Sequence, residues 1–249
     1  MGIKRFRTEQ ILFDARFETF VADTELAKSI HYNLRYKVYC LDKGFENPAA
    51  FPDQQETDIY DKNAVHFIVR HRESGQWVGA MRLVIGLPAQ LPLSRLTEID
   101  INSFKCVTGT LVAEASRLCI SLPTENFSAN QKSKSTELYD TLHPSSVSLG
   151  LIRAARGYCL NHDIRFSFFL ITSQLARILQ RVGMEISVVG PAVQHRGLRY
   201  PYVHDFIDGY KSMREKMPMV YKMFQTSPAY KFHSKMRVRR APHKIQLCI

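Results

Sequence analysis

The sequence lacks the features that mark several large protein classes. Its cysteines are odd in number and widely spaced: Cys40, Cys106, Cys119, Cys159 and Cys248. No two of them have the CxxC spacing, which argues against a disulfide framework and against a zinc site. No apolar run approaches the roughly 20 residues of a transmembrane helix, and residues 1–10 are polar and basic with no apolar segment behind them. We therefore expect a cytoplasmic protein with reduced cysteines.

Motifs of common cofactor and catalytic classes are also missing. The sequence contains no GxGxxG, GxxxxGK[ST], HExxH or GxSxG pattern, which argues against dinucleotide-binding, P-loop, zinc-peptidase and serine-hydrolase chemistry. His66 and His71 form the one close pair of histidines, and on a strand they would point to opposite faces. We expect no metal site and no bound cofactor.

Positive charge is concentrated at one end of the chain. The net charge is +11, and residues 211–249 hold ten Lys or Arg against a single acid, Glu215. We therefore divide the chain into a nearly neutral domain, residues 1–205, and a basic helical extension, residues 206–249. Charge alone does not choose between an acidic protein, an anionic membrane surface, nucleic acid and bulk solvent as what the extension meets.

Hydrophobic periodicity predicts helices and strands in a mixed order. The strands are expected at residues 65–69, 77–85, 110–120, 164–172 and 186–190. One helix, capped by Asp23 or Thr24, should end near Cys40, a second should follow Ser145 or Ser146, and a third should be capped by Ser173 and stopped by Gly183. An antiparallel hairpin followed by a strand–helix–strand unit indicates a mixed α/β sheet.

Ionisable residues interrupt these apolar segments. They are Arg35 in the first helix, Asp58 and Asp61 before the hairpin, Arg82 within it, and Glu114 and Arg117 in the third strand. An unpaired buried charge costs several kcal/mol, so such groups must be paired or must line a cleft. Two interpretations stand at this point: a structural network of ion pairs, or a catalytic cleft.

Five short segments, in order and at the right spacing, carry a resemblance to a known family: residues 35–39, Phe45, and residues 56–61, 78–83 and 114–117. They resemble the acyl-homoserine-lactone (autoinducer) synthases and their relatives, the N-acyl amino acid synthases. The segment YCLDKGFENP at 39–48, with HFIVRH at 66–71, is nearer still to the PEP-CTERM/exosortase system-associated acyltransferases. The resemblance implies a GNAT (N-acetyltransferase-like) fold, which agrees with the mixed sheet.

The resemblance also implies roles for individual residues. Six are implied in substrate binding: Arg35, Tyr39, Phe45, Asp58, Asp61 and Arg82. Glu114, Ser116 and Arg117 are implied as catalytic residues, Glu114 by helping to deprotonate the attacking amine. Autoinducer synthases usually have Phe and Trp where this sequence has Tyr39 and Phe45, a departure that favours an amino acid or another amine as acceptor.

The residue types suit this chemistry, on one geometric condition. A carboxylate in a desolvated cleft can have its pKa raised toward the working pH, as a general base for an ammonium group requires. Strict alternation places Glu114 and Ser116 on one face of the strand and Arg117 on the other. Arg117 joins the same site only if the strand contains a bulge.

The acyl donor and the partners follow from the same resemblance. It implies an acyl-phosphopantetheine donor on acyl carrier protein, and the sequence has no RxxGxG/A pattern for free acetyl-CoA, although acyl-CoA stays open. Carrier proteins are acidic, so Arg153, Arg156, Arg177, Arg181 or the basic extension could receive one. Residues 164–172 and 175–182 would line a tunnel for a fatty chain or form plain core.

We thus expect an N-acyltransferase that uses a medium or long acyl group, an amino acid or related amine as acceptor, and no nucleic acid. The alternatives are an acyl-homoserine-lactone synthase and a non-catalytic module that binds lipid or protein through its basic extension, with peripheral contact to a membrane.

Overall fold

The computed structural model describes residues 13–100, 109–121 and 144–236. Its α-helices are α1 (Phe13–Arg16), α2 (Glu25–Arg35), α3 (Pro144–Leu160), α4 (Ser173–Arg181), α5 (Lys211–Lys216) and α6 (Pro218–Gln225). Its strands are β1 (Phe17–Val21), β2 (Ala64–His71), β3 (Trp77–Gly86), β4 (Val112–Ile120), β5 (Phe166–Ile171), β6 (Ile186–Val188), β7 (Val193–Gln194), β8 (Leu198–Asp205) and β9 (Lys231–Phe232). Cys106, Cys248 and residues 237–249 of the predicted extension lie outside the described residues.

The strands form one mixed sheet in the described part of the chain. Their order is β6-β8-β5-β4-β3-β2-β1-β9, with β7 paired to β8. The β2–β3 hairpin and β4 are antiparallel neighbours, whereas β4 and β5 run parallel. This arrangement confirms the mixed α/β sheet predicted from periodicity.

Helices cover both faces of this sheet because its strands alternate apolar side chains. In β2, Phe67 and Val69 enter the largest hydrophobic cluster, which α3 closes, while Ile68 points the other way into a second cluster with Leu34 of α2. The period of two residues sets these faces. It also places Arg82 of β3 and its cross-strand partner Ser116 of β4 on the α2 face.

Several elements differ in detail from the sequence prediction. Thr24 caps α2 as expected, but α2 ends at Arg35 and continues as a π-helix, Tyr36–Asp42. The cap of α4 is Thr172, whose hydroxyl accepts from the N–H of Leu175, and not Ser173 as predicted. Strands β1, β7, β8 and β9 have no counterpart among the predicted elements.

The described part of the basic extension packs against the rest of the molecule. Tyr210, Met213, Val220 and Phe224 are all buried in the largest cluster, and β9 pairs with β1 at the edge of the sheet. α5 ends at Lys216, and Pro218 begins α6, a position where proline's missing N–H costs no helical hydrogen bond. Among the described residues, no helix has the length and apolarity that crossing a membrane requires.

Candidate active site

The ionic residues found in the sequence meet on the α2 face of the sheet. Three arginines and three carboxylates alternate in a closed ring, so that each side chain contacts two of opposite charge: Arg35, Glu56, Arg117, Asp58, Arg82, Asp61 and back to Arg35. We call this set the ionic ring. Its charges cancel, which is how groups with little access to water are tolerated.

Arg35 is the most deeply buried member of the ring. Its side chain is 0% exposed, and it donates from Nη1 to Asp61 at 2.6 Å and from Nε to Glu56. Burial lowers the pKa of Arg35, but the hydrogen bonds and charges of Asp61 and Glu56 outweigh burial and raise it. In turn, burial raises the pKa of Asp61, but Arg35, Arg82 and the N–H of Asp58 together lower it by more. Both groups are therefore ionised at neutral pH.

The loop before β2 holds its acids by local hydrogen bonding. Asp58 caps a 3-10 turn, Ile59–Asn63, by accepting from the N–H of Tyr60, and Asp61 accepts from the N–H of Asp58 at 2.7 Å. This capping box satisfies backbone donors and fixes both carboxylates at the same time. Because one turn holds both aspartates, their carboxylates face the same arginines.

A bulge in β4 brings Arg117 into the ring. Ala80 pairs with Cys119 and Arg82 with Ser116, so one residue of β3 stands opposite two of β4. Arg117 has a φ of +53°, a left-handed conformation that non-glycine residues adopt at a cost. Its Nη2 donates to Asp58 at 3.0 Å, and its Nε lies 3.2 Å from Glu56. The bulge on which the sequence analysis made Arg117 depend is confirmed.

Glu114 lies beside the ring without belonging to it. It is buried on β4, and its Oε2 accepts from the N–H of Leu93 at 2.8 Å. Burial raises the pKa of Glu114 to about 7, although the Leu93 hydrogen bond and the charges of Arg82 and Arg117 act to lower it. A carboxylate with this pKa exchanges protons near neutral pH, as a general base must.

Two cavities of about 280 Å³ each meet at the bulge. The polar cavity is lined by Glu114, Arg82, Asp58, Tyr60, Arg95, His195 and Arg196, among others. The apolar cavity is lined by Met81, Ile152, Phe169, Ile171, Leu175 and Leu179, among others. Six residues line both: Tyr39, Ala115, Ser116, Arg117, Leu170 and Arg199.

The separation of two parallel strands opens this junction. β4 and β5 pair through Ala113 with Ser167 and through Glu114 with Phe168, and at no later position along these two described strands. Beyond Glu114 they diverge, and four of the six residues that line both cavities stand on the diverging parts: Ala115, Ser116, Arg117 and Leu170. Strand edges that face each other without pairing offer backbone N–H groups to a ligand.

Tyr39 and Phe45 form the aromatic wall of the junction. Their ring centroids lie 5.9 Å apart, and the guanidinium groups of Arg117 and Arg196 lie 5.4 and 5.3 Å from the ring of Tyr39. Burial raises the pKa of Tyr39, so its hydroxyl stays neutral. Phe45 faces the apolar cavity and remains 39% exposed.

Comparison with solved structures identifies the fold. The chain superposes on the acyl-homoserine lactone synthase LasI with a TM-score of 0.56, 18% identity, and coverage of 81% of this chain and 95% of that one. It superposes on FeeM, an N-acyl amino acid synthase from uncultured soil microbes, with a TM-score of 0.56 and 11% identity, over 79% of this chain and 95% of that one. For BjaI, a CoA-dependent acyl-homoserine lactone synthase solved with SAM and isopentyl-CoA, the TM-score is 0.56 and the identity 15%, over 87% of this chain and 92% of that one. Residues 34–131 match the family described as acetyltransferase (GNAT) domain. The fold is GNAT-like.

At the level of sequence, no curated protein matches this chain. The GNAT-like fold implied by the resemblance is thus confirmed, and the likeness to these synthases at low identity extends over most of the chain. The match to the GNAT family covers the last two residues of α2, the ring acids, the hairpin and β4. The ionic ring therefore lies within the part of the chain that this family describes.

The structure brings the candidate residues of the sequence analysis together. Seven of the nine line the cavities: Tyr39, Phe45, Asp58, Arg82, Glu114, Ser116 and Arg117. Arg35 and Asp61 line neither cavity and contact the other ring members, so their implied role in substrate binding stays a prediction. Ser116 accepts from Nε of Arg82 at 3.2 Å.

Sequence reasoning missed four residues of the site. Glu56 is the ring member between Arg35 and Arg117. Its position two residues before Asp58 could have indicated that it belongs to the same site. No sequence pattern indicated Arg95, Arg196 and Arg199. A 3-10 turn and the β7–β8 hairpin, both distant in sequence from the predicted site residues, bring them to the polar cavity.

The described residues show no alternative centre for covalent or metal chemistry. Cys119, on β4, is buried, and burial raises the pKa of its thiol to about 12, so it is protonated at neutral pH. Within residues 13–100, 109–121 and 144–236, no three His, Cys, Asp or Glu side chains are grouped as a metal site requires.

Proposed function

We propose that this protein is an N-acyltransferase that moves a medium or long fatty acyl group from a phosphopantetheine thioester to the amino group of an amino acid or related amine. One observation carries the proposal: Glu114, with its pKa raised to about 7, lines a polar cavity that joins an apolar cavity at a bulge in β4. The polar side suits the acceptor, and the apolar side suits the acyl chain.

The acceptor first loses a proton. An ammonium group cannot attack a thioester, so a base must take one proton before the carbon–nitrogen bond forms. Glu114, which lines the polar cavity, suits this step, directly or through one water molecule. The ionic ring fixes Arg82 and Arg117 beside it, and their positive charges favour the ionised form of Glu114 that accepts the proton.

The amine nitrogen then attacks the thioester carbonyl carbon. Negative charge develops on the carbonyl oxygen, and backbone N–H groups between the diverging β4 and β5 could donate to it without reorganisation. The tetrahedral intermediate collapses by breaking the carbon–sulfur bond. The pantetheine thiolate leaves and takes the proton that Glu114 holds, which restores the carboxylate. The nitrogen gives its second proton to this carboxylate, which passes it to water, so the products are an amide, a thiol and one proton.

The donor enters from the apolar side. Phe169, Leu175 and Leu179 line the apolar cavity, and residues of this type bind the methylene chain of a fatty acyl group. The related structure of BjaI holds isopentyl-CoA, which supports a pantetheine thioester as donor here. We favour acyl carrier protein over CoA as its carrier, as in the PEP-CTERM/exosortase-associated acyltransferases that the sequence resembles.

The arginines available to an acidic carrier protein are fewer than the sequence suggests. Arg153 is 3% exposed and pairs with Asp14 at 2.6 Å, so it is not free to bind a carrier. Arg156 lies over the ring of Tyr210, 4.8 Å from its centroid. Arg177 and Arg181 are exposed on α4, whose Leu175 lines the apolar cavity. These two are the carrier contacts that we propose.

Mass spectrometry of extracts from an expressing host tests the proposal. We expect N-acyl amino acids to accumulate with the native chain and to fall to the vector background with Glu114→Ala. Accumulation of acyl-homoserine lactones instead would establish the alternative reaction of the LasI type. If neither class of product forms and Glu114→Ala changes no metabolite, the proposal is wrong.

A further inference from the structure

The polar cavity contains more positive charge than the ionic ring neutralises. Arg82 and Arg117 have ring carboxylates as partners, and Arg196 pairs with Glu46. Arg95 and Arg199 line the same cavity. Among the described residues, neither forms an ion pair with a carboxylate. Arg95 is exposed to water, whereas Arg199 is half-buried.

Arg199 is the better placed of the two. It stands near the start of β8 and lines both cavities, so it lies at their junction. Its Nη1 and Nη2 reach only backbone carbonyls, those of Leu170 at 3.4 Å and Arg196 at 3.5 Å, and its Nε is buried without any partner in the described structure. Nη1 and Nη2 each carry a second N–H with no partner in the described structure, and this pair is suited to a two-point contact with a carboxylate in the cavity.

Arg95 is linked to the proposed base by a single turn of chain. It ends the 3-10 turn Pro92–Arg95, and Leu93 of that turn donates its N–H to Glu114. The guanidinium of Arg95 lies 5.9 Å from the centroid of the Tyr60 ring, which also lies 5.9 Å from that of Arg82. The turn therefore places a cation and the carboxylate of Glu114 on one wall of the cavity.

Neighbouring groups respond to this positive field. Burial lowers the pKa of His195, and the charges of Arg199 and Arg117 lower it further. Burial and the charge of Arg199 likewise lower the pKa of Arg196. An anion entering the cavity would relieve this repulsion between cations.

We propose that Arg199, assisted by Arg95, binds the carboxylate of an amino-acid acceptor whose amino group faces Glu114. This inference rests on the proposed acyl transfer and narrows its acceptor. A simple amine would leave Arg199 without a partner, and an acceptor with additional positive charge would meet five arginines. An amino acid suits this cavity because its carboxylate would face the arginines and its amino group would face the carboxylate of Glu114.

Kinetics with matched acceptors test the subsite. The purified full chain is assayed with a medium-chain acyl group, on CoA and on acyl carrier protein, against amino acids and the amines that lack only the carboxylate, such as tyrosine with tyramine and leucine with isoamylamine. We expect kcat/KM for the preferred amino acid to exceed that for its amine by about 100-fold, since a buried two-point contact to a charge is lost.

Variants of Arg199 locate the effect. Arg199→Gln should raise KM for the amino acid by about 100-fold, with a small change in kcat, and should change kcat/KM for the amine far less. Arg199→Lys, which keeps the charge, should retain part of the preference. Arg165→Gln, at a partly exposed arginine that lines neither cavity and is not a proposed carrier contact, is the matched control and should behave as the native chain does.

The outcomes separate the two levels of the proposal. Equal rates with amino acids and amines, or an unchanged KM in Arg199→Gln, would overturn the carboxylate subsite while acyl transfer stands. Absence of any acylated product with every acceptor and both donors would overturn the proposed function, and the subsite with it. If Arg199→Gln does not fold, the acceptor preference of the native chain and of Arg199→Lys decides the question.

Discussion

Two kinds of buried ionic group lie side by side in this protein and differ in what surrounds them. The members of the ionic ring contact opposite charges on both sides, whereas Glu114 accepts one backbone hydrogen bond from within the part of the chain that the structure describes. Desolvation is therefore offset for Asp61, whose pKa is lowered, but not for Glu114, whose pKa rises to about 7. The first interpretation left open by the sequence describes the ring, which is a network of ion pairs, and the second is the proposal that we make for the carboxylate beside it.

Glu114→Gln should change the pH dependence of stability. The pKa of Glu114 is higher in the folded chain than the ordinary 4.5, so the folded state holds the proton more tightly, and stability falls as pH rises from about 4.5 to above 7. Glutamine does not ionise, so the variant lacks this fall in stability. Its free energy of unfolding should exceed that of the native chain by on the order of 3 kcal/mol at pH 8 and differ little at pH 4. Urea unfolding at both pH values measures it.

Glu73→Gln provides the control for that experiment, because Glu73 is exposed in the turn of the hairpin. It should leave the free energy of unfolding unchanged at either pH. A Glu114→Gln variant that is no more stable than the native chain at pH 8 would show that burial does not disfavour the charge of Glu114.

At the scale of elements, the sequence predicts what is local and misses what depends on distant partners. The helix capped by Thr24, the hairpin, β4 and β5 follow from periodicity and turn residues. β1, β8 and β9 do not, because their pairing with β2, β5 and β1 joins segments far apart in the chain. Arg199 belongs to β8, so its place at the cavity could not be predicted, whereas the need for a bulge at Arg117 could.

The bulge in β4 matters because it aims Arg117 at two carboxylates. Arg117→Ala leaves Glu56 with Arg35 alone and Asp58 with Arg82 alone. We expect the free energy of unfolding to fall by about 3 kcal/mol, the lower end for breaking a buried ion pair, since each carboxylate keeps one partner. Thermal and urea denaturation measure the loss.

Arg165→Ala is the matched control, since Arg165 also contacts two acids, Asp205 and Asp208, with a side chain 38% exposed. Exposed ion pairs contribute about 0–1 kcal/mol, so this change should cost little. Equal losses for the two variants would mean that the ring does not behave as a buried network.

At the scale of the whole molecule, the basic extension and the domain share one hydrophobic core. Tyr210, Met213, Val220, Met223 and Phe224 are buried in the cluster that also contains α3 and the sheet. The basic side chains of the extension are on the outer sides of helices whose inner sides are apolar. The distribution of charge along the sequence could not reveal these apolar sides. The boundary at residue 205 stays a prediction, and it can be tested.

A chain ended at residue 205 should not fold. Burying one large apolar side chain contributes roughly 1.5–3 kcal/mol, so the loss of five is comparable with the whole stability of an ordinary domain, about 5–15 kcal/mol. Circular dichroism and gel filtration of residues 1–205 should show an unfolded or aggregated chain, and residues 1–236 should remain folded. A folded, cooperatively melting 1–205 fragment would show that the extension is dispensable.

The central claim is that Glu114 acts as the base of an acyl transfer, and the pH dependence of kcat/KM tests it most directly. With the purified chain, a medium-chain acyl donor and its preferred acceptor, the native rate should rise with pH through an apparent pKa near 7. Glu114→Gln should lose this limb and fall by about 10²- to 10⁴-fold. A variant that keeps both the rate and the limb near 7 would contradict the account.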